Sequence, residues 1–206
     1  MPRLRTCLSI VVFVLATFPS ELRAEWFVLP YAGITLDTRV TFSEIAGEFD
    51  NEFEPTPIFG AAVTWKKSRR VEIEGDFGFS PDFFGQRVAE DDFQYGDNQL
   101  ISLMGNLKAN LLWPSGGAGR IRPYAAAGLG VLLTRISDPD AFTAESTLPA
   151  FDVGGGISVP IGARFQLRAD ARYFRTLQGQ TPKDELDVAI RSLAFWRTAV
   201  GFGFRF

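Results

Sequence analysis

The chain has no histidine, and its single cysteine, Cys7, lies close to the N-terminus. The first absence removes the side chain on which most general bases and activated nucleophiles rely at neutral pH. The second leaves no disulfide framework. Gly-rich phosphate loops and clustered metal-ligand motifs are missing as well, so the sequence calls for no cofactor and no metal. Past the first residues there is no apolar run of the roughly 20 residues that a membrane-spanning helix needs. If the body of the chain enters a membrane, it must do so as a closed barrel, because hydrocarbon cannot satisfy open backbone groups.

The one long apolar run is Cys7–Phe18, with Arg3 and Arg5 before it and a short polar stretch ending in Ala24 after it. This is the order of a secretory signal peptide, and at about 12 residues its apolar part is too short for a transmembrane span. Cleavage after Ala24 is expected, although Leu22 at the minus-three position is bulkier than usual. The signal peptide is therefore residues 1–24, and residues 25–206 are one domain. Cys7 stands at the front of the apolar run, whereas a lipoprotein cysteine follows it, so Cys7 is expected to leave with the signal unlipidated.

What the chain has in quantity is aromatics, at 14%, with 20 Phe and 20 Gly. Period-two alternation marks eight segments, roughly Trp26–Val40, Pro57–Trp65, Arg69–Ser80, Gln99–Trp113, Arg120–Arg135, Ala150–Pro160, Arg164–Arg175 and Leu193–Phe206. The connections alternate between short (Lys66–Ser68, Pro114–Gly119, Ile161–Ala163) and long (Thr41–Thr56, Pro81–Asn98, Ile136–Pro149, Leu177–Ser192). Alternation of this kind is the topology of outer-membrane barrels, with periplasmic turns and longer external loops.

The two faces of each segment differ sharply. Val71, Ile73, Gly75, Phe77 and Phe79 oppose Arg70, Glu72, Glu74, Asp76 and Gly78; Phe165, Leu167, Ala169, Ala171 and Tyr173 oppose Arg164, Gln166, Arg168, Asp170 and Arg172. A soluble sandwich or lipocalin-like barrel also alternates, with its apolar face inward. Here the polar faces carry dense charge of both signs, which suits the interior of a small barrel. The apolar faces mix large aromatics with Ala and Gly, which suits lipid. Trp26, Trp65 and Trp113 fall at the short-turn ends of their segments, where an interfacial girdle belongs, together with Phe204. The expected fold is thus an all-β, eight-stranded antiparallel up-and-down transmembrane barrel following a cleaved signal helix.

An eight-stranded interior is wide enough only for side chains or one small ligand. The charged residues expected there are Glu72, Glu74, Asp76, Asp152 and Asp170 with Lys108, Arg122, Arg168, Arg172 and Arg197. Buried charges must pair or be hydrated, so a plugging ion-pair network is expected, with a narrow gated water path as the alternative. Glu72 and Glu74 could form an acid/base pair, but the opposing arginines favour ion pairs. Gly154–Gly156 is read as relief of crowding within a strand.

The net charge is −3 for the whole chain and −5 once Arg3, Arg5, Arg23 and Glu21 are removed with the signal. The long loops are strongly acidic, with Glu48, Asp50, Glu52 and Glu54 in the first and Glu90, Asp91 and Asp92 in the second. Solvation of an exposed surface explains them; divalent-cation bridging to outer-leaflet phosphates is the sharper reading, although no calcium-loop consensus is present. Such a surface argues against nucleic acid as a partner.

The chain resembles the small OmpA/OmpX-type outer-membrane β-barrels, the porin-like outer membrane protein beta-barrel family. RPYAAAGLGV (Arg122–Val131) resembles that family's fifth strand, and the stretch Phe151–Arg175 its sixth and seventh strands with their tight turn. Gly201, Phe204 and Phe206 resemble the C-terminal signal read by the barrel-assembly machinery, with Ala199 standing where a polar residue is usual. The resemblance implies an integral protein of the bacterial outer membrane with termini in the periplasm. Its partners would be outer-membrane lipid, lipopolysaccharide and, during biogenesis, the assembly machinery. A monomer is expected. Some relatives modify lipid A or cleave proteins, and those sites generally rely on histidine. The sequence therefore favours a non-enzymatic structural or surface-interaction role over a low-conductance channel or a His-independent lipid-modifying enzyme.

Overall fold

The computed structural model describes residues 25–44, 47–66, 70–84, 98–111, 121–137, 143–177 and 189–206. Residues 1–24, expected from the sequence to be a signal peptide, and Trp113 lie outside the described residues. The described strands are β1 (Glu25–Glu44), β2 (Gly47–Phe53), β3 (Pro57–Lys66), β4 (Val71–Pro81), β5 (Asn98–Asn110), β6 (Arg122–Ser137), β7 (Thr143–Ile161), β8 (Phe165–Thr176) and β9 (Ala189–Arg205). Every neighbouring pair is antiparallel, and β1 pairs with β9 to close the sheet. Eight strands make the wall. β2 is an extra arm that hydrogen-bonds only the outer part of β1, from Thr38↔Phe53 to Glu44↔Gly47.

Closure removes the free edges that a membrane would not tolerate. The outward face is apolar and open to its surroundings, with Leu129 65%, Leu107 58%, Val200 55% and Phe59 51% exposed. An uninterrupted apolar band around a whole barrel is far beyond the patches of soluble monomers and calls for lipid. Trp26 and Trp65 are register partners, stacked with centroids 6.5 Å apart at the short-turn end. Phe165, Phe202 and Phe204 pack together at the same end, with centroids 5.3 to 5.4 Å apart. Tyr173 and Trp196 pair at 5.3 Å toward the opposite side of the band.

The strands run longer than the alternation suggests. A tilted strand crosses the hydrocarbon with roughly 9–11 residues, yet β1 has 20 and β7 has 19. The expected first long loop contains β2, and much of the expected third is the outer part of the β6–β7 hairpin, paired from Val131↔Pro149 to Ser137↔Thr143. Alternation hid these extensions because their outward residues turn polar above the band. In β1 a bulge also intervenes. Asp37 adopts φ 50°, the β1–β9 register shifts between Leu36 and Arg39, and the inward set passes from Leu29, Tyr31 and Thr35 to Thr38 and Val40.

Candidate functional site

The interior divides into two layers. Toward the short-turn end, the inward positions of β4, β5, β7, β8 and β9 deliver a charged cluster. Its hub is Glu74, whose carboxylate meets Arg168 at 2.5 Å, Arg172 at 2.6 Å and Lys108 at 3.2 Å. The Thr64 hydroxyl donates to it at 2.9 Å. Asp76 holds Arg197 through both oxygens, at 2.7 and 3.2 Å. Asp170 takes Arg168 Nε at 3.0 Å and the Tyr124 hydroxyl at 2.9 Å. Asp152 takes Arg172 at 3.3 Å, and the Asn106 amide, with its nitrogen turned toward Asp152 and its oxygen toward Arg172, bridges the two, donating to Asp152 at 2.6 Å and accepting from Arg172 at 3.0 Å. Glu72, at the lower edge, meets Lys108 at 3.4 Å and the Asn110 amide at 2.9 Å.

Four carboxylates (Glu74, Asp76, Asp152, Asp170) and four cations (Lys108, Arg168, Arg172, Arg197) are thereby buried together, none more than 8% exposed. The balance of sign matters, since an uncompensated charge would cost several kcal/mol in such a place. Two tyrosines complete the layer. Tyr31 donates to Asp76 at 3.1 Å and accepts from Arg197 at 2.6 Å, with the Arg197 guanidinium 4.7 Å from its ring. Lys108 lies 4.4 Å from the ring of Tyr124. Glycines make room for these groups: a Cβ on Gly60 would strike the Tyr31 ring, and one on Gly128 would strike Asn106 and Asp152. Gly154 and Gly156 press against the β8 backbone beside Arg172 and Asp170.

Above this layer the interior turns apolar. Val40, Leu100, Met104, Leu132, Leu148, Ala150, Phe174, Ile190, Leu193 and Phe195 form one buried cluster with Phe83 and Phe84. The last two come from the turn after β4 and fold into the mouth. Asp82 takes φ 50° there, its N–H bonds the Asn98 carbonyl at 2.8 Å, and the Phe84 N–H bonds the Asn98 side-chain oxygen at 2.8 Å. Phe83 meets Phe195 edge-on at 5.2 Å, and Phe84 meets Phe53 at 5.6 Å.

Of the ten charged residues that the sequence assigns to the interior, the structure gathers nine. Arg122 is the correction: it is still paired with Ser158 of β7, but it is the first residue of β6, at the short-turn end below the charged layer, and it lies exposed outside the cluster. Of the girdle, Trp26, Trp65 and Phe204 stand at the short-turn end, and Phe206 is 81% exposed beside Trp26, bonding its carbonyl at 3.0 Å. Gly201 faces inward against Leu29 and Tyr31. Alternation places Asn106 on the inward face beside Lys108, but its tie to Asp152 and Arg172 was missed, and so were Tyr31, Tyr124 and Thr64, neutral side chains on the inward register. Phe83 and Phe84 it left in a loop; two adjacent aromatics with no alternation were the available signal.

No protein-family model and no curated protein matches the chain. Solved structures do. Neisserial surface protein A is similar with a TM-score of 0.58 at 14% identity, over 88% of this chain and 97% of that one. The outer membrane protein OprG of Pseudomonas aeruginosa is similar at 0.59 and 10%, over 89% and 96%. A major outer membrane protein of Thermus thermophilus is similar at 0.52 and 11%, over 89% and 100%. The likeness at these identities is one of fold, and with the apolar outer band and charged interior it gives a single conclusion: the chain has the fold of the small eight-stranded outer-membrane barrels.

Proposed function

We propose that this is an integral, non-enzymatic outer-membrane protein whose closed barrel mounts an acidic outer end for structural or surface-interaction work. One observation carries the reading: Arg172 and Arg197 are 0% exposed in the middle of the lumen, and Phe83 and Phe84 are packed over them at 0% and 1%. A water path able to pass solutes would leave some of these groups wet. The strands that run beyond the apolar band, β1–β2 and β6–β7, then serve as a raised platform carrying the acidic loops. The short turns and both termini face the periplasm in this reading, lipid and lipopolysaccharide surround the wall, and Gly201, Phe204 and Phe206 act during assembly.

Swelling of liposomes in small uncharged sugars tests this. Vesicles carrying the folded mature chain should swell no faster than empty ones. Swelling that scales with protein content would replace the mount with a pore.

A further inference from the structure

Seven of the eight wall junctions join consecutive wall strands, and the chain itself connects the two strands at one end. The eighth, between β1 and β9, joins the first strand to the last and has no connection across it. It is also the one wall junction whose ladder is interrupted among the described residues. Its rungs pass from Val28↔Phe204 to Tyr31↔Gly201 with the register unchanged, so Leu29 and Pro30 have none. Farther up, the register shifts between Leu36 and Arg39 and again between Thr41 and Phe42. The other seven ladders run rung by rung without a shift.

The gap has a chemical cause. Pro30 carries no N–H to give to β9, while on its other side it keeps its place opposite Ala61. Pro149 and Pro160, by contrast, stand in unbroken ladders. The register places Phe202 opposite Pro30, and both are open to the lipid side, Phe202 at 39%. Hydrocarbon offers no substitute for a missing backbone bond. The lumen side adds little support. Gly201 and Gly203 on β9 put no side chain behind the gap, and Leu29 packs against both. β1 enters the charged layer through the Tyr31 hydroxyl, whereas Glu74 draws its four partners from β3, β5 and β8.

We infer that the β1–β9 seam is the lateral opening of this barrel: the wall parts first at Pro30, between β1 and β9, while the other seven junctions hold. Parting there opens no hairpin. It breaks the bond from Arg197 to Tyr31 but leaves Arg197 on Asp76 and Glu74 on its two arginines and lysine, so the charged layer stays joined.

The test compares two cysteine pairs in the refolded mature chain, which from Glu25 onward has no cysteine of its own. Ala32→Cys with Val200→Cys spans the seam, and Ala109→Cys with Ala125→Cys spans β5 and β6; each pair is a set of exposed register partners. A cross-link slows unfolding only where the rate-limiting step parts the strands that it joins. Oxidising the seam pair should slow urea unfolding in lipid vesicles about ten-fold or more against its own reduced form, and oxidising the β5–β6 pair less than about two-fold. Equal slowing by the two pairs, or none at the seam, overturns the inference. Pro30→Ala supplies the missing N–H and should slow unfolding a few-fold, with Pro149→Ala leaving the rate unchanged. No change from Pro30→Ala, or the same change from both, overturns the part given to Pro30. The unmodified chain is read without any variant. In vesicles in deuterated buffer, the amides of Tyr31–Gly33 and Thr198–Gly201 should exchange before those of Gly105–Ala109 on β5. The same rate for both, or the reverse order, contradicts an opening at this seam.

Discussion

Glu74 on β4 and Arg172 on β8 meet at 2.6 Å although their strands lie on opposite sides of the wall, four places apart whichever way the eight-stranded circuit is followed. Arg168 reaches the same carboxylate from β8. Glu74 therefore joins two halves of the barrel through its centre, and with Thr64 and Lys108 it is surrounded by four partners.

Removing Glu74 should be the most damaging single change in this layer. Glu74→Ala takes the shared carboxylate from two arginines and a lysine, leaving Asp152, Asp170 and Glu72 to hold them and the buried layer one negative charge short, and a loss of about 3–5 kcal/mol is expected. Lys108→Met should cost less, since Glu74 keeps both arginines and Glu72 lies near the lower edge. Urea unfolding in lipid vesicles measures both. A double-mutant cycle of Lys108→Met with Glu72→Gln should give measurable coupling; additive costs would mean that the 3.4 Å pair contributes nothing.

On the lipid face the cost of charge should depend on depth. Leu107 is 58% exposed near mid-band and Leu111 is 54% exposed near the short-turn end. Leu107→Arg should cost about 2–4 kcal/mol in lipid and Leu111→Arg about 0–1. Equal costs would displace the band. An arginine at the adjacent inward position is no easy alternative. From alternation alone Asn106→Arg is expected to cost less than Leu107→Arg, but Asn106 is 3% exposed between Asp152 and Arg172, with neither space nor charge for a second guanidinium.

Glycines of the two faces should respond oppositely to the same substitution. Gly75 has nothing within 4 Å of a would-be Cβ. Gly75→Ala should therefore be neutral or slightly stabilising, because a strand glycine leaves more chain entropy to lose. Gly60→Ala drives into Tyr31, which holds Asp76 and Arg197, and should cost about 1–3 kcal/mol. Thermal migration shifts on gels rank the two.

Deleting Phe206 should impair assembly in cells while barely changing a barrel folded in vitro. Its ring is 81% exposed, so little packing is lost, and one backbone bond to Trp26 goes with it. Outer-membrane levels in cells and urea midpoints in vesicles should diverge. If the levels are unchanged, the C-terminal aromatic is not an assembly signal.

The strands and their faces were legible because lipid and lumen impose a strict period of two, and β4 and β8 obey it from end to end. The neighbours of Lys108 were within reach too, since Glu72 and Glu74 lie on the strand that the next hairpin pairs with β5. Glu74 with Arg172 was out of reach, because which residues meet across the lumen depends on strand tilt and shear, quantities with no local mark in sequence. The bulge at Asp37 breaks the period inside β1 with no glycine to announce it. The apolar upper layer was hidden for another reason. Val131, Leu132 and Leu133 are apolar on both faces, and alternation is silent where lipid and core meet the same strand.

The closed lumen is tested most directly by single-channel recording of the refolded mature chain in planar bilayers, run beside a Phe83→Ser, Arg197→Ser variant that loosens both layers. The unmodified barrel should give a flat baseline with no resolved conductance steps, and the variant, folded by its gel migration, should give them. Regular steps from the unmodified barrel, persisting when the variant adds nothing, would contradict the account.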